Sequence, residues 1–295
     1  MFDELVIRST IAAAAVLGGA GVTIATIETA RRRSLASSML ATRWKTWTML
    51  AAIWMVGLAS PLLLFVVLAA MSLAVGSEYA RLACLGRTDR WTALGLPVVV
   101  LSLLALGLDY PVVLTVALLA VTAGPLLEQD VEHGPQRVGR VLLGLVLTAL
   151  APAAIWLIGR DAAPVLVALL FGVALSDVAA FTMGSTLGRR RLAPRLSPAK
   201  TWEGAAGNLV GATAGVAIAA AATDLAWAAV AVLGPIIALG SLWGDLLESM
   251  VKRAANVKDA GAILPGFGGV LDRVDSLIAA APLTWVMLPL LGGAL

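Results

Sequence analysis

Two stretches of this chain carry residues able to do chemistry. Leu187 to Asn208 reads LGRRRLAPRLSPAKTWEGAAGN, and Gly240 to Ser276 reads GSLWGDLLESMVKRAANVKDAGAILPGFGGVLDRVDS. In the second, Asp245, Glu248 and Lys252 are spaced i, i+3, i+7, which puts them on one face of a helix. Asp272 and Asp275 are i, i+3, so both carboxylates can point one way. Asp245 meets this pair only if the Pro265–Gly269 loop folds back. Clustered like charges are costly unless a cation sits among them. Mg²⁺ is the usual solution, held by a few carboxylates, waters and substrate phosphates. Lys252, Arg253, Lys258 and Arg273 surround the carboxylates and suit a polyphosphate. The run Pro265-Gly266-Phe267-Gly268-Gly269 allows close backbone approach and offers N–H groups to anionic oxygens. Carboxylates for a divalent ion and basic groups for phosphates, set at a lipid boundary, spell phosphoryl or nucleotidyl transfer on a lipid phosphate. The same residues also suit solvated loop charges and ion pairs beside a membrane, and spacing alone leaves both readings open.

The elements that must position these residues are membrane helices. Of 295 residues, 60% are hydrophobic and 13% charged, against about 25% charged in soluble domains. The mean hydropathy is +0.95, and long uncharged runs of Ala, Leu and Val fill most of the chain. About 20 apolar residues carry a helix across the hydrocarbon core. Backbone groups there have no water partners, so helices are the spanning form. The period-2 alternation of a membrane barrel is absent. The expected fold class is therefore all-α: a polytopic transmembrane helix bundle of about nine to ten membrane segments with no soluble domain. The single cysteine, Cys84, and single histidine, His133, leave any metal to carboxylates and water. Cys84 reads as a buried small hydrophobe, and the basic balance as topology and headgroup contact rather than nucleic-acid binding.

Apolar spans fall at about 9–27, 48–60, 61–76, 91–107, 110–127, 139–158, 164–188, 204–221, 225–242 and 276–295. The first has no basic n-region and reads as a retained span rather than a signal peptide. Met49 to Val75 is either one long helix or two turning at Ser60-Pro61, and charge separates the two. With two passes, every basic residue except Arg8 and Arg160 falls on one side, as the positive-inside rule requires. One pass would strand the Arg31–Lys45 cluster opposite all later clusters. The expectation is ten segments, both termini outside, and every basic loop in the cytoplasm. Residues 1–160 read as N-terminal transmembrane helices. Residues 161–295 read as a C-terminal transmembrane catalytic region with a cytoplasm-facing site.

At these residues the chain resembles the phosphatidate cytidylyltransferase (CDP-diacylglycerol synthase) family. That signature runs Ser-x-x-Lys-Arg, four residues, Lys-Asp, Leu-Pro-Gly-His-Gly-Gly, then Leu-Asp-Arg-x-Asp-Ser. Here it reads Ser249, Lys252-Arg253, Lys258-Asp259, Leu264 to Gly269, Leu271-Asp272-Arg273 and Asp275-Ser276. Gly244-Asp245-Leu246 with Glu248 matches upstream. Ser197-Pro198-Ala199-Lys200-Thr201-Trp202-Glu203-Gly204 is similar to the family's Ser-Pro-Lys-Lys-Thr-Trp-Glu-Gly, and Asp177 with Gly184 and Gly188 to its Asp-x-x-Ala-Tyr-x-x-Gly. The likeness covers roughly residues 165–280. Phe267 replaces the family's His, Ala199 the first Lys, and Phe181 a common Tyr.

The resemblance implies a membrane nucleotidyltransferase for phospholipid biosynthesis. It would make CDP-diacylglycerol and pyrophosphate from CTP and phosphatidic acid, with Mg²⁺ and a second, monovalent cation such as K⁺. It implies that Asp245, Asp272 and Asp275 hold the metal. Lys252, Arg253 and Lys258, with Arg273, would neutralise the triphosphate. Ser197, Lys200 and Thr201 would contact a phosphate, Glu203 and Asp259 would orient basic groups through ion pairs, and Gly266, Gly268 and Gly269 would admit the substrate. Asp177 lies deep in a span, where a carboxylate is functional by default, or is neutral and hydrogen-bonded to a neighbouring helix. The implied partners are CTP, phosphatidic acid, membrane lipids and a second copy in a homodimer, with no nucleic acid; the implied place is a bacterial inner membrane. Alternatives are a cytidylyltransferase for another lipid phosphate with ether or isoprenoid chains, and a non-catalytic or transport relative.

Overall fold

The computed structural model describes residues 2–30, 39–261 and 268–291. Helices α1 (Phe2–Ala30), α2 (Met39–Ala59), α3 (Pro61–Leu82), α4 (Arg87–Ala105) and α5 (Tyr110–Leu127) are followed by α6 (Gly134–Thr148) and α7 (Leu150–Asp161). Then come α8 (Ala163–Leu187), a small hairpin of β1 (Arg191–Ala193) and β2 (Ser197–Thr201), α9 (Trp202–Ala222), α10 (Ala228–Ala254) and α11 (Leu271–Met287), closed by a 3-10 turn at Leu288–Leu291. Nine segments among the described residues are long and apolar enough to cross a membrane, and Trp47–Ala59 is a shorter apolar stretch. The protein is an integral membrane protein built as a helix bundle. The hairpin, antiparallel with Arg191 opposite Thr201 and Ala193 opposite Ser197, is too short to show as alternation in the sequence.

Met49 to Val75 forms two helices. Pro61 lacks an N–H and starts α3, while the Ser60 hydroxyl accepts the Leu63 N–H at 3.2 Å, a standard N-cap. This turn lies against Gly159, Arg160 and Ala163, where α7 hands over to α8. Arg8 of α1 reaches Asp224, between α9 and α10, at 3.7 Å. Arg8 and Arg160 therefore sit at the end of the bundle opposite the C-terminus of α8, as the two-pass reading requires. The span expected over 139–158 is broken at Ala149. Pro152 supplies no N–H to the Thr148 carbonyl, and the Thr148 hydroxyl turns back to Gly144 O at 2.7 Å. Cys84 corrects its expectation: it is exposed, in a left-handed conformation at φ 50° just beyond α3.

Small residues decide which helices touch. A Cβ on Gly211 would lie 2.3 Å from Leu175 O, and one on Gly215 2.4 Å from Phe171 O. Only glycine lets α9 lie this close along α8, the small-residue packing of membrane helices. At Gly240 and Gly244 of α10, added Cβ atoms would meet Ala280 Cα at 2.4 Å and Asp275 O at 2.2 Å. These contacts lock α10 to α11. The C-terminal half of α8, the start of α9, the end of α10 and the start of α11 consequently meet at one end of the bundle.

Candidate active site

At that end lies a cavity of about 340 Å³, lined by Asp177, Ser197, Lys200, Asn208, Asp245 and Asp275 among others. The i, i+3, i+7 spacing is realised because α10 continues unbroken to Ala254, well past the apolar limit expected near 242. Oxygen atoms of Asp245, Glu248 and Asp275 lie within 4.8 Å of one another. The close approach at Gly244 brings α10 this near to α11.

The surrounding charges are paired in a definite pattern. The Lys200 ammonium, carried in by β2, is bonded to Asp245. The Lys252 ammonium bridges Glu248 Oε2 at 2.6 Å and Asp272 Oδ1 at 2.7 Å. Glu248 is fully buried; apart from Lys252, no donor reaches its carboxylate among the described residues. Asp177 Oδ1 accepts the Ser276 hydroxyl at 3.2 Å, and Asp275 Oδ1 accepts the Ser276 N–H at 2.8 Å. Deeper in, Ser176, Ser241 and Asn208 form a buried polar chain across α8, α10 and α9, with both links 3.2 Å long.

The residues expected to hold a metal are distributed differently from their spacing. Asp245 and Asp275 come together, but the third oxygen donor of the group is Glu248. Asp272 also lines the cavity, yet its Oδ2 accepts the Gly269 N–H at 2.7 Å and the Ala260 N–H at 3.0 Å. Asp272 thus ties the backbone of Ala260 and Gly269 to the first turn of α11. Three carboxylates converging around one buried donor-poor oxygen pair fit a hard divalent cation, which takes oxygen ligands. Unneutralised, the three would repel each other strongly.

The other expected residues also find definite places. Thr201 lines the cavity, but its hydroxyl accepts the Gly204 N–H at 3.0 Å as the N-cap of α9. Glu203 accepts backbone N–H groups of Arg189 and Arg190 at 3.0 and 3.3 Å, so it anchors the hairpin's entry rather than a basic side chain. Arg253 reaches the carbonyls of Leu196 and Val257, each at 3.3 Å, and Lys258 and Asp259 are exposed. Gly268 has φ +81°, and a Cβ there would lie 2.8 Å from Asp272 Oδ2. Gly266 and Phe267 lie outside the described residues. Arg273 does not line this cavity; it lines an apolar groove on the other side of α11.

One residue was missed by spacing. Glu78 of α3 is fully buried, and its two carboxylate oxygens accept the N–H groups of Val270 and Leu271 at 2.9 and 2.8 Å. It caps the N-terminus of α11, where anionic groups are stabilising. Its signal was a carboxylate just beyond the apolar run 61–76, weaker than that of Asp177, which lies within one. Its partner lies almost two hundred positions away, which no local pattern reveals.

Comparison with known proteins bears on this geometry. A phosphatidate cytidylyltransferase of Mycobacterium leprae is 40% identical over 141 residues, which cover 47% of this chain and 45% of that protein. One of Brucella suis biovar 1 is 49% identical over 120 residues, 40% of this chain and 44% of that protein. One of Mycobacterium tuberculosis is 40% identical over 124 residues, 42% and 38% of the two chains. The chain thus spans less than half the length of these curated relatives. The model of the cytidylyltransferase family matches residues 41–291, from the start of α2 to the final turn and through every carboxylate and lysine of the cavity, and the chain belongs to that family.

Proposed function

We propose that this protein is a phosphatidate cytidylyltransferase that forms CDP-diacylglycerol and pyrophosphate from CTP and phosphatidic acid. The observation that carries the reading is the convergence of Asp245, Glu248 and Asp275 within 4.8 Å, flanked by Lys200 and Lys252, beside a cavity lined by Asp245, Asp275 and Lys200 at one end of a membrane bundle. The likeness to phosphatidate cytidylyltransferases points to the substrate pair.

In the reaction an oxygen of the lipid phosphate attacks the α-phosphorus of CTP. The bond from that phosphorus to the bridging oxygen breaks, and pyrophosphate leaves. The nucleophile is already ionised at neutral pH, so positioning and charge neutralisation do most of the work. A general base is dispensable, which makes Phe267 in place of the family His tolerable. Asp245, Glu248 and Asp275 are the residues that would hold Mg²⁺, which supplies charge neutralisation to the polyphosphate when bound. Lys200 and Lys252 are poised to exchange carboxylate partners for phosphate oxygens. Arg253 and Lys258, both exposed, would attract the triphosphate, and Ser197 offers a hydroxyl donor. Asp272, Glu203 and Thr201 position Ala260 and Gly269, the hairpin and α9 around it. Asp177, tied to Ser276, fixes the first turn of α11 against α8.

The same reading puts the chain in a bacterial inner membrane with the cavity facing the cytoplasm. The gathering of basic side chains at the cavity end, with Arg8 and Arg160 opposite, supports that orientation. Residues 161–295 would carry the catalytic groups and 1–160 would buttress them. A K⁺ ion beside Mg²⁺ and a homodimer belong to the reading by family likeness.

The test uses the full chain purified in detergent with phosphatidic acid, CTP and Mg²⁺. Pyrophosphate release and CDP-lipid are followed, with ATP as the nucleotide control. CTP-specific product that disappears with EDTA and in Glu248→Gln and Asp275→Asn supports the reading. Absence of CDP-lipid from an intact, monodisperse protein sinks it.

A further inference from the structure

The buried chain of Ser176, Ser241 and Asn208 has a fixed direction. Ser176 of α8 donates its hydroxyl to Val173 O at 2.8 Å, so its only proton points to the backbone. The Ser241 hydroxyl of α10, 3.2 Å from Ser176 Oγ, is then the donor of that pair. A hydroxyl has one proton, so Ser241 Oγ meets α9 as an acceptor, and Asn208 Nδ2 donates to it at 3.2 Å. The network thereby holds the Asn208 amide one way round. Turning it over would draw the Ser241 proton to Asn208 and leave two hydroxyl oxygens facing each other without one. Asn208 is 5% exposed and lines the carboxylate cavity. Its Oδ1 has no partner among the described residues and is not sealed off, so it opens onto that cavity as a single oriented acceptor.

We propose that Asn208 selects the base of the nucleotide: its Oδ1 accepts the 4-amino group of cytosine, and the Ser241–Ser176 chain keeps the amide from turning to greet the 4-oxo group of uracil. The proposal rests on the cytidylyltransferase reading and gives its preference for CTP a residue. Donor chemistry selects the ligand. Phosphatidic acid carries neither an N–H nor an alcohol O–H, so of the two substrates only the nucleotide can satisfy an acceptor. The lining selects the part of the nucleotide. What α9 contributes to the cavity is Gly204, Ala205 and Asn208, an uncharged wall with little side chain, while Lys200, Asp245 and Asp275 carry the charge. A flat neutral ring suits the first and phosphates suit the second. Distance agrees, because Ser241 precedes Asp245 by one turn of α10, a rise of about 6 Å. The amide bonded to Ser241 therefore stands within a nucleotide's length of the metal carboxylates. Uracil would set its 4-oxygen against Asn208 Oδ1, two acceptors with no proton between them. A site built to hydrogen-bond one group rejects the analogue that leaves a buried polar atom unpaired.

The test is displacement of radiolabelled CTP from the full chain in nanodiscs with Mg²⁺ and without phosphatidic acid, so no turnover enters. Unlabelled CTP is expected to compete at least about tenfold better than UTP, the effect of one buried hydrogen bond exchanged for an unpaired acceptor. The competitor dCTP serves as the control for the ribose. Asn208→Ala and Ser241→Ala, on different helices, are each expected to bring the CTP-to-UTP ratio to within about threefold of one, the second because the freed amide can present either edge. In the CTP assay the ratio of kcat/KM for the two nucleotides should collapse in the same way. A packing defect weakens both nucleotides together, so an unmoved ratio in both folded variants overturns the proposal. Equal competition by CTP and UTP in the unaltered chain overturns it too. So does a variant that shifts the CTP-to-dCTP ratio instead, which would give Asn208 to the ribose. If the base is selected and the variants abolish that selection while no CDP-lipid forms with phosphatidic acid, the functional reading falls and the base site stands. If CDP-lipid forms and the ratios do not move, the reading stands and the base site falls.

Discussion

Replacing Glu78 by Gln tests the view that a residue of α3 holds the first turn of α11 in place. Glu78 is 0% exposed, and its carboxylate takes two N–H groups at 2.8 and 2.9 Å. Gln keeps the shape but offers one acceptor oxygen, so its NH₂ must face an N–H donor. Hydrogen bonds to charged groups contribute about 1.5–3 kcal/mol each, and a stranded buried donor costs about 1–3 kcal/mol. The expected loss is about 2–4 kcal/mol, concentrated at the turn that carries Asp272 and Asp275. Space gives no relief, because positions where Gly261 and Gly269 would carry a Cβ each lie 2.5 Å from the Glu78 carboxylate. At about 1.4 kcal/mol per tenfold, the correctly placed turn becomes at least about thirtyfold scarcer relative to displaced ones. In the CTP assay kcat should fall by roughly that factor, with a lower thermal midpoint in detergent. Glu78→Asp, which keeps the charge on a shorter arm, should recover part of kcat. A Gln variant with wild-type kcat and melting would refute the reasoning.

Lys252→Met should cost about 3–5 kcal/mol, because it leaves buried Glu248 and Asp272 without their shared cation; the thermal midpoint checks this, and adding Glu248→Gln should restore part of the loss. Gly211→Leu should push α9 off α8 and destabilise by at least the about 1–3 kcal/mol typical of overpacking. Gly18→Ala, where nothing lies within 4 Å, should leave the same melting curve unchanged. Arg137 joins α6 to α4 and α5 by bonding Asp89 at 2.8 and 2.9 Å, Glu128 at 2.7 Å and Asp130 at 2.9 Å. Its hydrogen bonds hold the Glu128 and Asp130 carboxyls below their usual range. That stabilisation is present from neutral pH down through the usual carboxylate range and is lost as pH falls below it. The wild-type midpoint should therefore drop more steeply on acidification than that of Arg137→Gln, and parallel curves would count against this clasp.

The sequence alone determined the solvent this fold is built for. Uninterrupted apolar runs force helices, because unpaired backbone groups have no partner in hydrocarbon. The segregation of basic residues required the turn at Ser60-Pro61, and proline and serine chemistry makes that turn. The chemistry was legible as well. Asp245, Glu248 and Lys252 fall on one face because helical spacing is a local property, and the motifs around Lys200 and Asp275 point to the family found.

Tertiary structure decided who meets whom. Asp272 has the same spacing relation to Asp275 as Asp245 has to Glu248. Yet Asp272 turns to the backbone of Ala260 and Gly269, while Glu248 joins Asp245 and Asp275. The difference comes from Gly240 and Gly244, which set the distance between α10 and α11, and from the N–H groups of Ala260 and Gly269, which take Asp272 Oδ2. Thr201 and Glu203 spend their oxygens on helix and hairpin backbone for a similar reason: a folded chain must satisfy its buried N–H groups first. Glu78 and the apolar groove beside Arg273 depend on helices far apart in sequence. Packing of small residues brings them together, and hydrophobicity patterns carry no record of which small residues will face each other.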